Sequence, residues 1–286
     1  MLRHLVPAVL TFSLASVGAW AQPPESQPIE PDRPDVTNGT HIVDVGLLQL
    51  EVGAVVGRPV PTERTFGSPL TARVGLLDWI EARVGVDGLT IDTVNGTRAA
   101  GFGNLQLGAK LRLWASPGGV PVLSILPTIN LPTSSTGLGS GQRDYTLGML
   151  TGTDVGRHGH VDVNYGVGRI GTLQGSHFVQ HLVSMSASAA VSDNWNPYAE
   201  VFRFSRQDLD TGPLTAVDLG AIYELGSRFA LDGGVQVGVA GRAPDLAIFG
   251  GLSVIVGDVL GSHGVHARVR RSRDQAARGA ERGSTK

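Results

Sequence analysis

The chain has 286 residues, of which 40 are glycine, 16 are proline and none is cysteine. Glycine makes up about 14% of the chain, roughly twice its usual share, which argues against a helical globular enzyme. Without cysteine there is no disulfide framework, no thiolate metal site and no cysteine nucleophile. The formal net charge of −2 combines an acidic body with a basic stretch from Ser262 to Lys286, and an acidic body argues against nucleic-acid binding.

Residues 1–21 are predicted to be a cleaved secretory signal peptide. Arg3 supplies a basic start, an apolar segment follows from Leu5 to Gly18, and Ala19-Trp20-Ala21 forms a small-x-small cleavage pattern. No later stretch approaches the roughly 18 uninterrupted apolar residues that a membrane-spanning helix needs. An exported protein is therefore expected, and any crossing of a membrane should use strands.

Residues 22–40 form a proline-rich, acidic N-terminal segment. The prolines exclude both a helix and a paired strand, so the segment is expected to be extended. A mobile periplasmic tether is the favoured interpretation, because disorder is the default for this composition. The alternative is a plug, in which the acidic groups enter the barrel and pair with basic side chains there. The residues concerned are Pro23, Pro24, Glu25, Pro28, Glu30, Pro31, Asp32, Pro34 and Asp35.

Apolar and polar residues alternate repeatedly over residues 41–257, which is the signature of strands. The pattern is clearest at 48–56, 80–86 and 105–113, where one face is aliphatic and the other carries charged residues and glycine. Long links alternate with tight ones, and this layout is typical of a bacterial outer-membrane barrel. About twelve strands are expected, near 45–57, 69–77, 79–87, 102–114, 121–131, 144–153, 160–169, 177–191, 195–205, 214–225, 229–240 and 245–256.

The fold class predicted from these patterns is all-β, a closed antiparallel transmembrane β-barrel of about 12 strands. Closure is required because an open sheet edge would leave backbone groups without partners in hydrocarbon. The N-terminus and the short turns are expected in the periplasm. Aromatic residues near the short-turn strand ends are interpreted as an interfacial girdle, and they are Trp79, Trp114, Tyr145, Trp195 and Tyr223.

The polar face of the strands is predicted to line the lumen. Its charged residues mix both signs, which leaves two interpretations open: a salt-bridge network that fills a narrow barrel, or a path for a solute. The lumen-facing candidates are Glu51, Arg73, Glu81, Arg83, Lys110, Arg112, Glu200, Asp218, Glu224 and Asp232.

Several motifs resemble the family named for a meta-pathway of phenol degradation, often called outer-membrane transporters. The similarity covers about residues 32–254, and its motifs occur in the family's order. The resemblance implies an outer-membrane barrel that passes hydrophobic or aromatic compounds. One departure is a basic stretch at 258–286, which follows the last strand and is expected to be disordered. The matching motifs are Asp32–Thr37, Gly46–Gly53, Arg73–Arg83, Gly101–Lys110 and Leu126–Thr133.

Four histidines invite a metal-site interpretation, but strand geometry argues against it. His158 and His160 lie at a short turn, whereas His177 and His181 follow a long link, so the pairs are expected at opposite ends of one hairpin. A lipid hydrolase would need a serine beside an outward histidine, and His181 has no such serine on an identifiable neighbour. No catalytic, metal or cofactor residue is therefore assigned, and a non-enzyme without cofactors is expected.

The function favoured by the sequence is an outer-membrane channel or passive transporter for small, hydrophobic or aromatic compounds. A structural or adhesive barrel with a salt-bridged, closed lumen is the alternative. The expected partners are outer-membrane lipid, small apolar or aromatic solutes, periplasmic chaperones and the barrel-assembly machinery, with no nucleic acid.

Overall fold

The computed structural model describes residues 29–33, 36–59, 62–115, 121–210, 212–241 and 245–261. The predicted signal peptide (1–21), the start of the proline-rich segment and nearly all of the predicted C-terminal tail lie outside these ranges. The described residues form fifteen strands: β1 Leu47–Arg58, β2 Glu63–Gly67, β3 Leu70–Leu77, β4 Ile80–Val86, β5 Leu89–Val94, β6 Thr97–Phe102, β7 Leu105–Trp114, β8 Val122–Leu131, β9 Asp144–Val155, β10 Gly159–Gly171, β11 His177–Ala189, β12 Trp195–Phe204, β13 Leu214–Glu224, β14 Phe229–Ala240 and β15 Leu246–Asp258.

Twelve of the described strands close into a barrel. The order around it is β1, β3, β4 and then β7 to β15, and every neighbouring pair is antiparallel. β15 pairs back with β1 from Leu47↔Asp258 to Arg58↔Leu246, so the sheet has no open edge at this seam. The predicted closed, twelve-stranded antiparallel barrel is confirmed.

The three remaining strands extend the sheet at the long-loop end. β2 pairs with the last part of β1 at Val55–Gly57, β5 pairs with β2, and β6 pairs with β5. Asn95 and Gly96 connect β5 to β6 with φ values of 49° and 82°, as a type I′ hairpin turn requires. The predicted strands leave 58–68 and 88–101 as long links, and the structure corrects this by placing β2, β5 and β6 within them. These short strands lack the continuous aliphatic face that identified the barrel strands.

Each barrel strand separates a lumen face from an outer face. In β1, Gln49 and Glu51 lie on the lumen face and are buried, while Val52 and Ala54 lie on the outer face and are exposed. Large apolar side chains on the outside of a closed sheet are suited to hydrocarbon, and together with the fold they place the protein in the outer membrane. In the described part of the chain, no helix has the length and hydropathy to cross a bilayer.

Exposed tryptophans mark the short-turn end of the barrel. Trp79, Trp114 and Trp195 are each about half exposed at the ends of hairpins. Tyr145 was predicted in the same girdle, but it lies near the start of β9, at the long-loop end, where it pairs with Arg169. That assignment was wrong because β9 begins after a long link.

The described part of the proline-rich segment runs inside the barrel. We call residues 29–33 and 36–43 the lumen segment. Ile29 and Val43 pack with Leu47 at the short-turn end, whereas Val36 packs on Phe202 in the opposite half. The segment therefore enters from the short-turn end, reaches upward and returns to β1. The mobile tether favoured from composition is wrong for these residues.

Candidate functional site

A network of charged side chains crosses the lumen between β1, β3 and β4. Arg73 donates from Nε and from one terminal nitrogen to the two carboxylate oxygens of Glu81, at 2.8 and 2.9 Å. Its other terminal nitrogen donates to Glu51 at 2.7 Å. All three side chains are buried. Bidentate pairing of a guanidinium with a carboxylate is among the strongest side-chain interactions, so these strands hold Arg73 in one orientation.

Asp32 of the lumen segment completes this network. Its Oδ2 accepts a hydrogen bond from Lys110 Nζ at 2.7 Å and lies 2.8 Å from a terminal nitrogen of Arg83. Burial by itself raises the pKa of Asp32, but the charges of Arg73, Lys110 and Arg83 outweigh burial and hold that pKa well below its usual range. Asp32 is therefore ionised at neutral pH.

The charges of the network balance only when the lumen segment is present. The barrel wall supplies three cations, Arg73, Arg83 and Lys110, but only two anions, Glu51 and Glu81. Asp32 is the third anion. Since a buried charge without a partner is costly, removal of Asp32 would leave one positive charge uncompensated in the lumen.

Backbone carbonyl groups of the lumen segment add to its contact with the barrel. Lys110 Nζ donates to the carbonyl oxygens of Gly39 and His41, at 2.8 and 3.1 Å. The backbone nitrogen of Val43 donates to Glu81 at 3.0 Å. Lys110 thus holds both the Asp32 side chain and the half of the lumen segment that returns to β1, whereas Glu81 holds only that returning half.

Glu200 on β12 holds the lumen segment where it reaches furthest from the short turns. Its carboxylate accepts hydrogen bonds from the backbone nitrogens of Val36 and Thr37, at 2.9 and 2.6 Å, and from the Thr37 hydroxyl. Asp218 lies directly opposite Glu200 on β13. Val36 packs against an apolar cluster that includes Phe202. This end of the segment is therefore fixed by both polar and apolar contacts.

Arg33 of the lumen segment occupies a space that two glycines leave open. One of its terminal nitrogens lies 3.4 Å from both Asp232 Oδ1 and the Gly250 carbonyl oxygen. A Cβ added at Gly53 would lie 2.1 Å from Arg33 Cζ, and one at Gly251 would lie 2.8 Å from Arg33 Nε. Any larger residue at either position would have to displace the guanidinium.

His41 is the titratable group of the returning half of the segment. Its Nδ1 lies 3.2 Å from a carboxylate oxygen of Glu30. Burial, aided by the positive charges of Arg73 and Lys110, nevertheless lowers the pKa of His41 to about 4. His41 is therefore neutral at pH 7.

The lumen segment lies between cavities at the two ends of the barrel. At the short-turn end, a cavity of about 460 Å³ has a mixed wall, whose polar members include Asp162, His160 and Glu224. At the long-loop end, two neighbouring cavities of about 170 and 250 Å³ share Asn38 of the lumen segment in their walls. A solute crossing the barrel would have to pass the segment.

The 170 Å³ cavity has an unusually apolar wall for this lumen. Its lining includes an inward row on five adjacent strands, from β8 to β12, and the lumen segment contributes Val36. Two of the five positions are glycines, which widen the space at that level. We call this set the apolar row, and its members, each paired with the next, are Leu126, Gly148, Gly166, Leu182 and Phe204.

The ten lumen candidates named from the sequence lie in four places. Glu51, Arg73, Glu81, Arg83 and Lys110 meet around Asp32. Glu200 faces Asp218, and Asp232 contacts Arg33. Arg112 and Glu224 line the cavity at the short-turn end. Arg33, Asn38 and the apolar row are not among the lumen candidates predicted from the sequence. Only the acidic composition of residues 22–40 pointed toward such contacts.

Comparisons with solved structures reveal the same fold. The crystal structure of an outer membrane channel from Pseudomonas putida F1 superimposes with a TM-score of 0.64 at 12% identity, covering 77% of this chain and 100% of that chain. The NanC porin gives a TM-score of 0.53 at 10% identity, covering 73% of this chain and 100% of that chain. At these identities the similarity concerns the fold.

Comparison at the level of sequence identifies the family. No curated protein matches the chain. The family model described as "Putative MetA-pathway of phenol degradation" matches residues 31–255, from the lumen segment to the last strand. Because this match spans most of the chain and includes both the barrel and the segment within it, the protein belongs to that family.

Proposed function

We propose that the protein is a passive outer-membrane channel for small apolar or aromatic molecules, and that the lumen segment is its closed gate. The apolar row carries the proposal. A lumen that served only to hold charged pairs would not need an apolar cavity above them. The family name and the name of the Pseudomonas putida channel are consistent with this function.

The size of the apolar cavity supports a small solute. An apolar cavity of about 150 Å³ in another protein is large enough to bind benzene. The cavity beside the apolar row has about 170 Å³. Desolvation of an apolar ring against Leu126, Leu182 and Phe204 would favour its entry from water.

The neighbouring cavity adds a polar side to the proposed binding region. Its wall includes Thr71, Arg83 and Gln106, and it shares Leu126 and Thr128 with the apolar cavity. Ligand sites commonly combine an apolar wall with a few polar groups that fix orientation. The proposed substrate class is therefore a small aromatic or aliphatic molecule with one polar or anionic group.

A structural or adhesive barrel is the second candidate function. The observation that favours it is the balanced ion network, in which Asp32 and the barrel wall neutralise each other's buried charges. The two functions differ in a measurable way, because only a channel with an apolar binding region is expected to prefer an aromatic solute over a non-aromatic one.

Solute flux through liposomes containing the mature protein tests the proposal. Benzoate is compared with gluconate, since both are monoanions and only benzoate has an aromatic ring. The flux is measured for the wild type and for Asp32→Asn, in which the gate is weakened. We expect faster benzoate flux than gluconate flux, with the larger difference in Asp32→Asn.

Two substitutions on β10 test the role of the apolar row. Gly166→Leu places a side chain in the apolar cavity and should reduce the benzoate flux. Val167→Leu places the same side chain one position away on the outer face and should leave the flux unchanged. If folded Asp32→Asn barrels conduct neither solute, the channel proposal fails and the structural function is favoured.

A further inference from the structure

Basic and imidazole side chains form a patch on the outer surface of the barrel. We call Arg169, His177, His181 and Arg203 the outer cationic patch. They lie on β10, β11 and β12 at positions that alternate with lumen-facing residues, toward the long-loop ends of these strands. Arg169, His181 and Arg203 are exposed, and His177 is partly exposed.

Neutral groups hold these side chains in place. Arg169 donates to His177 Nδ1 at 3.2 Å, and His177 Nε2 lies 3.3 Å from the Arg143 carbonyl oxygen. Arg203 donates to Thr215 Oγ1 at 2.8 Å. These contacts orient both guanidinium groups but do not compensate their charge.

His181 also has a neutral partner. Its Nδ1 lies 2.9 Å from the Tyr165 hydroxyl, and the two rings stack with centroids 6.0 Å apart. The backbone nitrogen of His181, and not its ring, donates to the hydroxyl of Ser205. The contacts of this histidine are therefore unlike those of a serine hydrolase, in which the ring itself would activate the hydroxyl.

The outward positions of the described strands around the patch contain no balancing anion. On the described strands β9 to β13, the outward positions carry aliphatic, aromatic, hydroxyl, methionine, histidine and arginine side chains, but no aspartate or glutamate. The carboxylates of these strands, such as Asp162, Glu200 and Asp218, occupy alternate positions that face the lumen. The positive charge of the patch is therefore directed toward the membrane.

The depth of the patch corresponds to the outer headgroup region. Trp195 marks the short-turn interface on β12, and Arg203 lies eight residues further, about 26 Å along the strand at 3.3 Å per residue. A tilt of about 40° reduces this to about 20 Å along the membrane normal, close to the height of an apolar band of about 25 Å. A long arginine side chain can extend its charge from this position to the headgroups.

We propose that the outer cationic patch binds the phosphate groups of a phosphorylated glycolipid in the outer leaflet. The planar guanidinium groups of Arg169 and Arg203 match the oxygens of phosphate, and a partly desolvated site strengthens these contacts. His181 and Tyr165 would add polar contacts between them. This binding site is independent of the proposed channel, because none of its side chains faces the lumen.

The position of the patch selects a glycolipid over a glycerophospholipid. Long loops mark the cell exterior in such barrels, so the patch lies in the outer leaflet. That leaflet of a bacterial outer membrane consists largely of glycolipid with phosphorylated sugars. A patch for glycerophospholipid would be expected in the inner leaflet, at the short-turn end of the barrel. At that end, strands β12 and β13 instead carry the aromatic side chains of Trp195 and Tyr223.

Native mass spectrometry of the purified, delipidated mature protein tests the proposal. The protein is incubated with lipid A, with lipid A from which the phosphates have been removed, or with phosphatidylglycerol. We expect retention of lipid A and little retention of the other two lipids. Arg169→Gln combined with Arg203→Gln should lower retention by about tenfold or more, since two charge-assisted contacts are lost.

Matched variants separate the patch from general effects of charge. Arg58→Gln removes an exposed arginine from the long-loop end of β1, outside the patch, and should leave retention unchanged. Arg169→Lys with Arg203→Lys keeps the charge and should retain an intermediate amount of lipid. Gel mobility before and after heating verifies folding. Equal retention by wild type and the double glutamine variant, or equal binding of dephosphorylated lipid A or phosphatidylglycerol, would overturn the proposal.

Discussion

Arg73 illustrates why single residues in this lumen are sensitive to substitution. Its guanidinium is fully buried and is held by carboxylates from the strands on either side. The loss of one partner of a buried pair leaves a desolvated charge, and this cost exceeds the net stability that the intact pair provides.

Glu81→Ala should therefore be strongly destabilising. Arg73 would lose its bidentate carboxylate partner, and the backbone nitrogen of Val43 would lose its hydrogen-bond acceptor. We expect the free energy of unfolding in lipid vesicles to fall by about 3–5 kcal/mol, measured by denaturant titration. Glu81→Gln, which keeps an acceptor oxygen, is the control and should cost less. Equal, small effects of both variants would contradict the importance of this pair.

Ala82→Arg tests whether Ala82, which follows Glu81, faces the lipid. Ala82 follows Glu81 on β4 and is directed toward lipid in the alternation of that strand. An arginine on the lipid face costs about 2–4 kcal/mol near the bilayer midplane, and the same titration measures this loss. Ala82→Leu is the control and should be tolerated. If Ala82→Arg were harmless while Glu81→Leu was also tolerated, the two faces would have been assigned in reverse.

At the scale of elements, alternation was a sufficient signal for the barrel strands but not for the rest. β1, β4 and β7 have long aliphatic faces because lipid imposes a requirement at every second residue. β2, β5 and β6 lie beyond the region where that requirement applies, so their sequences resemble those of loops. The bounds of the barrel strands could be predicted within a few residues, whereas the extension of the sheet could not.

The lumen segment was harder to predict for a different physical reason. Its prolines exclude periodic structure, and its contacts join residues far apart in the sequence, such as Asp32 with Lys110 and Thr37 with Glu200. A pattern of neighbouring residues in the sequence cannot predict such distant pairs. The charges of both partners were visible, but only the structure reveals that Asp32 makes the network neutral.

Gly53→Ala should displace the lumen segment while preserving the barrel. The new Cβ would occupy the position of the Arg33 guanidinium, which can move because it is the end of a flexible side chain. The chain has no cysteine, so Val36→Cys provides a single site for a thiol reagent. We expect faster labelling of that cysteine in the Gly53→Ala background.

Gly85→Ala is the matched control for this experiment. A Cβ at Gly85 would meet Gln106 at an ordinary contact distance of 3.5 Å, so the labelling rate should not change. Equal labelling in both backgrounds would mean that Arg33 does not hold the segment in place.

At the scale of the whole molecule, the lumen segment links opposite walls of the barrel. Asp32 contacts side chains on β3, β4 and β7, while Thr37 contacts Glu200 on β12. Asp32→Asn should open the channel at neutral pH, because Lys110 and Arg83 lose their shared anion. We expect higher ionic conductance in planar bilayers, with unchanged circular dichroism. Arg112→Gln, which alters a wall charge outside this network, is the control and should leave closure intact.

Acidification should open the wild-type channel through His41. The pKa of His41 is lowered to about 4 in the lumen, whereas a released segment would have the ordinary value of about 6.5. Between these values only the released state binds the proton, so falling pH favours release by up to about 3 kcal/mol. Glu30 acts in the opposite direction, because partial desolvation in the lumen raises its pKa. Its side chain is nevertheless 57% exposed, so water screens this effect.

Conductance at pH 7.5, 6 and 4.5, measured for the wild type and for His41→Gln, tests this mechanism. Asp32 stays ionised throughout this range because its pKa is lowered, so the stability that its ion pairs provide is lost only in stronger acid. The wild-type conductance should rise as the pH falls below about 6.5, and His41→Gln should remove most of that rise. The same rise in His41→Gln would show that another group senses the proton, and a flat wild-type profile would show that the segment stays in place when His41 titrates.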